Sequence, residues 1–121
     1  MGDFSRQLLT SSPAVIYTCK VEGDYGTTFI TDNIETLLGY TSEEFLSDPG
    51  FWLTCVHPDD LEQVLSGANV VFKTGHYVCE CRLKAKNGEY VWMRDEARLI
   101  HNELTNTNKL VGSLLDINDR K

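Results

Sequence analysis

Alternation of apolar and polar side chains is sharpest between His76 and Leu99, where HYVCECRLKAKNGEYVWMRDEARL reads as two strand-like runs joined through Lys86-Asn87-Gly88-Glu89. Asn-Gly is the dipeptide best suited to two consecutive residues at positive φ. The spacing therefore predicts a two-residue type I′ turn with a tight end from Ala85 to Tyr90. In paired antiparallel arms, the period of two sorts side chains onto two faces. One carries Tyr77, Cys79, Cys81 and Leu83 with Val91, Met93, Ala97 and Leu99, a core face interrupted only by Asp95. The other carries Glu80 and Arg82 with Trp92, Arg94, Glu96 and Arg98. An aromatic among paired charges suits a contact surface, with Glu80 set to pair with Arg94 and Arg82 to lie against Trp92.

The rest of the chain has its own punctuation. Asp3 caps a short helix, Phe4 to Leu9, whose Phe4, Leu8 and Leu9 share one side. So short a helix is unstable alone, so those side chains need burial on the outer sheet face near Trp92 or on a second copy of the chain. Ser11-Ser12-Pro13 ends it. Strands follow at 14–20 and 27–31 around the turn Glu22-Gly23-Asp24-Tyr25-Gly26. Asp32 or Asn33 caps a helix carrying Ile34, Leu37 and Leu38, which Gly39 stops with a left-handed residue. Thr41 and Glu44 have capping-box spacing. Pro58-Asp59-Asp60 opens the longest helix, with proline and two carboxylates suited to its first turn. Leu61, Val64, Leu65, Ala68, Val71 and Phe72 form its apolar stripe, and Thr74-Gly75 closes it. After the hairpin come a polar loop, His101 to Lys109, and a last strand, Leu110 to Ile117. Two strands, helices, then three strands predict an α+β domain, a five-stranded antiparallel sheet with helices packed on one side. A single domain covers 1–121, with an N-terminal helix at about 3–10, a core at about 14–117 and the start of an outgoing linker at 118–121.

Composition narrows the functions. The 121 residues are 41% hydrophobic and 24% charged, with a formal net charge of -7. That charge repels phosphate backbones and anionic bilayers, which argues against nucleic acid and against membrane contact by this domain. No apolar run approaches the roughly 20 residues of a membrane span, and MGDFSRQLL lacks a signal peptide's apolar region. Four cysteines without a CxxC pair then read as reduced thiols in a cytoplasmic domain. His57, His76 and His101 lie in no nucleophile or acid-base motif, and Asp59 and Asp60 are explained by the helix dipole, so no catalytic residue is assigned. Cys55, His57, Cys79 and Cys81 lack zinc-ligand spacing, and no metal is assigned. A thiol redox pair at Cys79 and Cys81 sits near the limit of disulfide reach, about 7 Å between Cα atoms.

Four stretches in order carry a family resemblance. They are Ile30-Thr31-Asp32-Asn33-Ile34-Glu35 with Leu37-Leu38-Gly39-Tyr40-Thr41, and Val56-His57-Pro58-Asp59-Asp60. The third runs from Glu80-Cys81-Arg82-Leu83 through Asn87-Gly88-Glu89-Tyr90-Val91-Trp92. The last is Gly112 with Asp116-Ile117-Asn118-Asp119-Arg120-Lys121. Together they resemble a PAS domain of the subclass ending in the PAC motif. The chain departs from the family at Cys81, where an aromatic is frequent, and at Asn118, where threonine is usual. Asparagine also caps helices, so Asn118 can start an outgoing helix.

The resemblance implies a non-catalytic sensory module of a larger signalling protein, with an effector C-terminal to Lys121. A sensor histidine kinase is the first expectation for the parent, a diguanylate cyclase the second, and a ligand-free homodimerisation module the third reading. The signal would leave through Asp116, Ile117 and Asn118. Relatives hold flavin, haem or small metabolites. The Asn-Cys-Arg-Phe setting of flavin photosensors is missing around Cys55, and residues 58–73 hold no histidine, so neither flavin nor haem is favoured and the cofactor is left unassigned. A small organic ligand stays open, in a cavity between the long helix and the sheet. Tyr17, Phe29, Trp52, Phe72, Tyr77, Cys81 and Met93 are its candidate wall, although filling the core is the plainer reading of each. Phe4, Leu8, Glu80, Arg82, Trp92 and Arg94 are the candidate face for the N-terminal helix or for a second subunit.

Overall fold

A computed structural model describes residues 14–21 and 26–117. Strand β1 (Val15–Cys19) and strand β2 (Thr27–Ile30) open the fold, followed by helices α1 (Ile34–Leu38), α2 (Ser42–Ser47) and α3 (Phe51–Cys55). A 3₁₀ turn (Pro58–Asp60) leads into α4 (Leu61–Thr74). Strands β3 (His76–Lys84), β4 (Tyr90–Asn102) and β5 (Thr107–Asp116) complete one antiparallel sheet in the order β2-β1-β5-β4-β3. The α+β architecture expected from the pattern is the one observed. The expected helix at 3–10, the turn at 22–25 and the exit residue Asn118 lie outside the described residues.

Local chemistry explains most boundaries. Thr41 and Glu44 form the reciprocal capping box of α2. Gly39 and Gly75 end α1 and α4 at φ 89° and 83°, where a side chain would be strained. Asn33 heads α1 without a side-chain cap, because its Oδ1 accepts from the Thr31 hydroxyl, while its amide donates to the Ala14 carbonyl at 2.7 Å. Helices and inner sheet face meet in one core that includes Val15, Ile30, Ile34, Leu38, Val64, Cys81 and Met93. Tyr40, Phe45 and Phe51 close its end as an edge-to-face trio, with ring centroids 4.9–6.0 Å apart.

Four expectations change. The β3–β4 turn is a three-residue loop, not a type I′ turn: Gly88 donates to Ala85 O at 2.9 Å, Ala85 to Glu89 O at 2.7 Å, and only Gly88 takes positive φ. Asn87 is held out of the left-handed region by use of its side chain, whose Oδ1 accepts from Glu89 N–H, while Lys86 N–H donates to Leu38 O. The polar loop 101–109 is mostly strand, because β4 and β5 stay paired to Asn102 and Thr107. Asn106 at φ 54° and the side chain of Asn102, which accepts from Leu104 N–H, make the short reversal. Helix α3 was not foreseen, since five residues after Asp48-Pro49-Gly50 are too few to display a period. On α4, Val64 and Val71 are buried, whereas Leu65 and Phe72 are 49% and 38% exposed, so the covered stripe is narrower than the sequence suggested.

Strand β3 is a sheet edge, and an uncovered edge invites pairing with another chain. Residues 56–63 cover it. Val56 bridges Leu83, His57 N–H donates to Arg82 O at 2.9 Å, and the Gln63 amide donates to Glu80 O at 3.0 Å. Asp60 completes the seam. Its Oδ2 accepts from Arg82 N–H at 2.8 Å and from Nε at 3.0 Å, and its Oδ1 accepts from Nη2 at 2.8 Å. Asp60 sits at the N-terminus of α4 as expected but gives it no side-chain cap, because its carboxylate binds the edge strand. The Arg82 hydrogen bonds hold its carboxyl below the ordinary 3.8, against the opposing effect of burial. Arg82→Ala leaves this buried carboxylate uncompensated and is expected to lower the melting temperature at pH 7 by several degrees. Asp60 has a depressed folded pKa, so its contribution is present above about pH 4 and lost as pH falls below it. Thermal melts of the two proteins should therefore converge in acid; a constant offset would refute the pairing as the cause.

Candidate functional site

The inner face encloses a cavity of about 300 Å³ between α4 and the sheet, with α3 contributing Trp52, Leu53 and Cys55. The strand alternation puts Tyr77, Cys79 and Cys81 of β3 and Asp95 and Ala97 of β4 into its wall, Cys79 opposite Asp95. Tyr17 enters from β1. Among the lining residues, Asp95 alone is charged, and no lysine, arginine or histidine lines the space.

Asp95 and Tyr17 are joined across an intervening strand. Tyr17 stands opposite Gly112 of β5, and Gly112 stands opposite Ala97 of β4. A Cβ at position 112 would overlap the Tyr17 ring and hydroxyl. Glycine lets the ring lie over β5, and the Tyr17 hydroxyl donates to Asp95 Oδ1 at 2.6 Å. Gly67 does the same for Tyr77, whose ring occupies the place of a missing side chain on α4 and whose hydroxyl donates to Gln63 O at 3.1 Å. Burial pushes the Asp95 carboxyl up to about 6, partly offset by the hydrogen bond from Tyr17. Burial and the adjoining carboxylate in turn raise Tyr17. Burial holds the Cys19 thiol up at about 11, protonated and unreactive. The Trp52 indole N–H is buried without a hydrogen-bond partner, the one such side-chain atom among the described residues. Among the described residues no group of three or more His, Cys, Asp or Glu side chains is placed to hold a metal.

Of the candidate wall, Tyr17, Trp52, Phe72, Tyr77 and Cys81 line the cavity. Phe29 does not: it stands opposite Thr18, one residue out of phase with Tyr17, and is 51% exposed. Met93 is fully buried in the core and lies outside the lining, because its partner Cys81 takes the wall position. Asp95 was outside the candidate set although its place in a core face marked it. Gly67 and Gly112 carried no signal that a ring would lie on each.

The outer face carries Trp92, Arg94, Glu96 and Arg98 in the expected register. Arg82 lies over the Trp92 ring at 4.9 Å and Glu80 stands opposite Arg94, whose ion pair is with Glu96 at 4.0 Å. His76 Nε2 is 2.8 Å from Glu96. Phe29 on β2 and Ile100 on β4 are also exposed, Ile100 at 48%. Phe4 and Leu8 lie outside the described residues. At the exit, Asp116 stands opposite Met93, and the buried Ile117 donates its N–H to Trp92 O at 2.9 Å.

The family model for the PAS fold matches residues 27–114. The chain belongs to the PAS family. PAS relatives include the methyl sulfide methyltransferase-associated sensor of Methanosarcina acetivorans, 29% identical over 118 residues, and the two-component sensor PprA of Pseudomonas aeruginosa, 30% identical over 120. The matches cover 96% and 95% of this chain but 12% of either relative. Among solved structures, the N-terminal domain of a diguanylate cyclase with a PAS/PAC sensor from Marinobacter aquaeolei superposes with a TM-score of 0.76 at 24% identity. That likeness covers 88% of this PAS chain and 97% of the other. A domain of a putative light and redox sensing histidine kinase from Haloarcula marismortui gives 0.74 at 20%, covering 95% and 98%.

Three substitutions probe the Tyr17–Asp95 pair. A folded pKa of about 6, above the ordinary 3.8, means that the native state keeps a proton the unfolded chain releases between those values. Stability then falls as pH rises through that window, by about 3 kcal/mol in all. Asp95→Asn keeps an acceptor for Tyr17 and removes the charge, so it should gain about 3 kcal/mol on the parent protein between pH 3.5 and 7. Urea denaturation across that range checks it, and parallel curves would contradict it. Gly112→Ala should cost about 1–3 kcal/mol by displacing Tyr17, and combining it with Tyr17→Ala should recover part of the loss.

Proposed function

We propose that this PAS domain is a sensory module of a multidomain signalling protein, in which the cavity beneath α4 receives a small organic molecule. The cavity itself carries the reading: about 300 Å³ of largely apolar space, with one convergent polar pair, in the size range of small-molecule sites. A sensor histidine kinase is the favoured parent, in keeping with the two-component sensor among the relatives, and a diguanylate cyclase is the alternative. No helix of the described residues is long and apolar enough to cross a membrane, and a cytoplasmic setting fits the free, buried thiols.

Occupancy would be felt by the strands that line the cavity, β5 among them, and β5 ends at Asp116, the first of the proposed exit residues Asp116, Ile117 and Asn118. A bound molecule moves this equilibrium only by its differential affinity for the two arrangements. The outer face, with the Trp92 cluster at one end of β4 and exposed Phe29 and Ile100 elsewhere on it, is the surface for the N-terminal helix or for a second copy in a homodimer. A ligand-free dimerisation module is the competing class.

Ala97 lines the cavity and is buried, so Ala97→Phe fills the space. Thermal-shift screening of small apolar fragments should find compounds that raise the melting temperature of the parent protein and not of Ala97→Phe. Fragments that act equally on both, or none that act on either, would overturn ligand sensing and favour the interaction module.

A further inference from the structure

We propose that the cavity selects a small apolar amine, seated with its ammonium group on the Asp95 carboxylate. The inference rests on the reading of the cavity as a ligand site and names the chemistry of the occupant.

Asp95 is the starting point. A carboxylate offers about four acceptor positions, and among the described residues Asp95 accepts from the Tyr17 hydroxyl, on Oδ1. Buried carboxylates are ordinarily matched by a cation or several donors. Among the described residues, no cation comes from an element packed around the group. The other ionisable groups facing it are the phenols of Tyr17 and Tyr77 and the thiols of Cys19, Cys79 and Cys81; α4 and β5 contribute none. The site is thus a single negative charge in an apolar chamber, under-supplied with donors.

The chemistry of the occupant follows. An anion would meet Asp95 as a like charge. A neutral alcohol could donate one hydrogen bond but would leave the charge uncompensated. An ammonium supplies several donors and cancels the charge, in a charge-assisted hydrogen bond about twice as strong as a neutral one. The chain's net charge of -7 also favours the approach of cations over anions. The rest of the ligand must be apolar, because Val64, Val71, Leu53, Leu110 and Leu114 surround it. A cavity of about 150 Å³ accommodates benzene, so this one suits an amine carrying an aryl group or a short alkyl chain.

Isothermal titration calorimetry with matched pairs tests it: 2-phenylethylamine against 2-phenylethanol, and octylamine against 1-octanol, at pH 7.5. Each amine should bind the parent protein at least about tenfold more tightly than its alcohol. Asp95→Asn should bring the amine to the level of the alcohol while leaving alcohol binding within about threefold. In the parent protein, the amine preference should shrink as pH falls through about 6, where a proton competes for Asp95. That pH series needs no variant and keeps the test decisive should Asp95→Asn misfold. Alcohols that bind as well as their amines, or a preference that survives in Asp95→Asn, would overturn the amine proposal and leave the cavity reading standing. Failure of all four probes to bind would overturn both.

Discussion

A carboxylate cannot stay in an apolar chamber without a partner, and Asp95 receives one from a strand that is not its neighbour. The sheet order β2-β1-β5-β4-β3 separates Tyr17 on β1 from Asp95 on β4 by the width of β5. Reaching across requires a gap in β5, and Gly112 supplies it. One hydrogen bond of 2.6 Å thus depends on three strands being in register at once. The converse also holds: a one-residue slip would turn Asp95 outward and Tyr17 away from it. Register, cavity and buried charge are one constraint seen from three sides.

A second tie fixes the roof over that chamber. Asp60 and Arg82 hold the start of α4 to the edge strand β3, and the same guanidinium lies over Trp92 on the outer face. Trp92 in turn accepts the N–H of Ile117 at the end of β5. Cavity roof, outer face and exit are therefore linked by consecutive contacts around one sheet edge. Under the proposed sensory reading, such a chain of contacts would be the route by which a change in the cavity reaches the exit.

The pattern of the chain disclosed what depends on neighbours in sequence. Alternation in 76–99 put Cys79, Cys81, Asp95 and Ala97 on one face and Trp92, Arg94 and Glu96 on the other, and the observed pairing has that register. Glycine stops and the capping box were equally legible. What escaped depends on distant partners. Asp95 was visible as the interruption of a core face, but its donor lies 78 residues away. Nothing near Gly67 in sequence calls for glycine, yet its missing side chain is the space for Tyr77. Asp60 looked like a dipole residue, because nothing near it in sequence announces Arg82. Phe29 was assigned inward on hydrophobicity alone, against a phase that Tyr17 and Ile30 had already set.

These contacts converge on the Asp95 carboxyl, which its surroundings push up to about 6. The direct measurement is a ¹³C NMR titration of the Asp95 carboxyl in the ligand-free protein. The account gives a midpoint near 6; a midpoint near 4, the value of a carboxylate open to water, would contradict it.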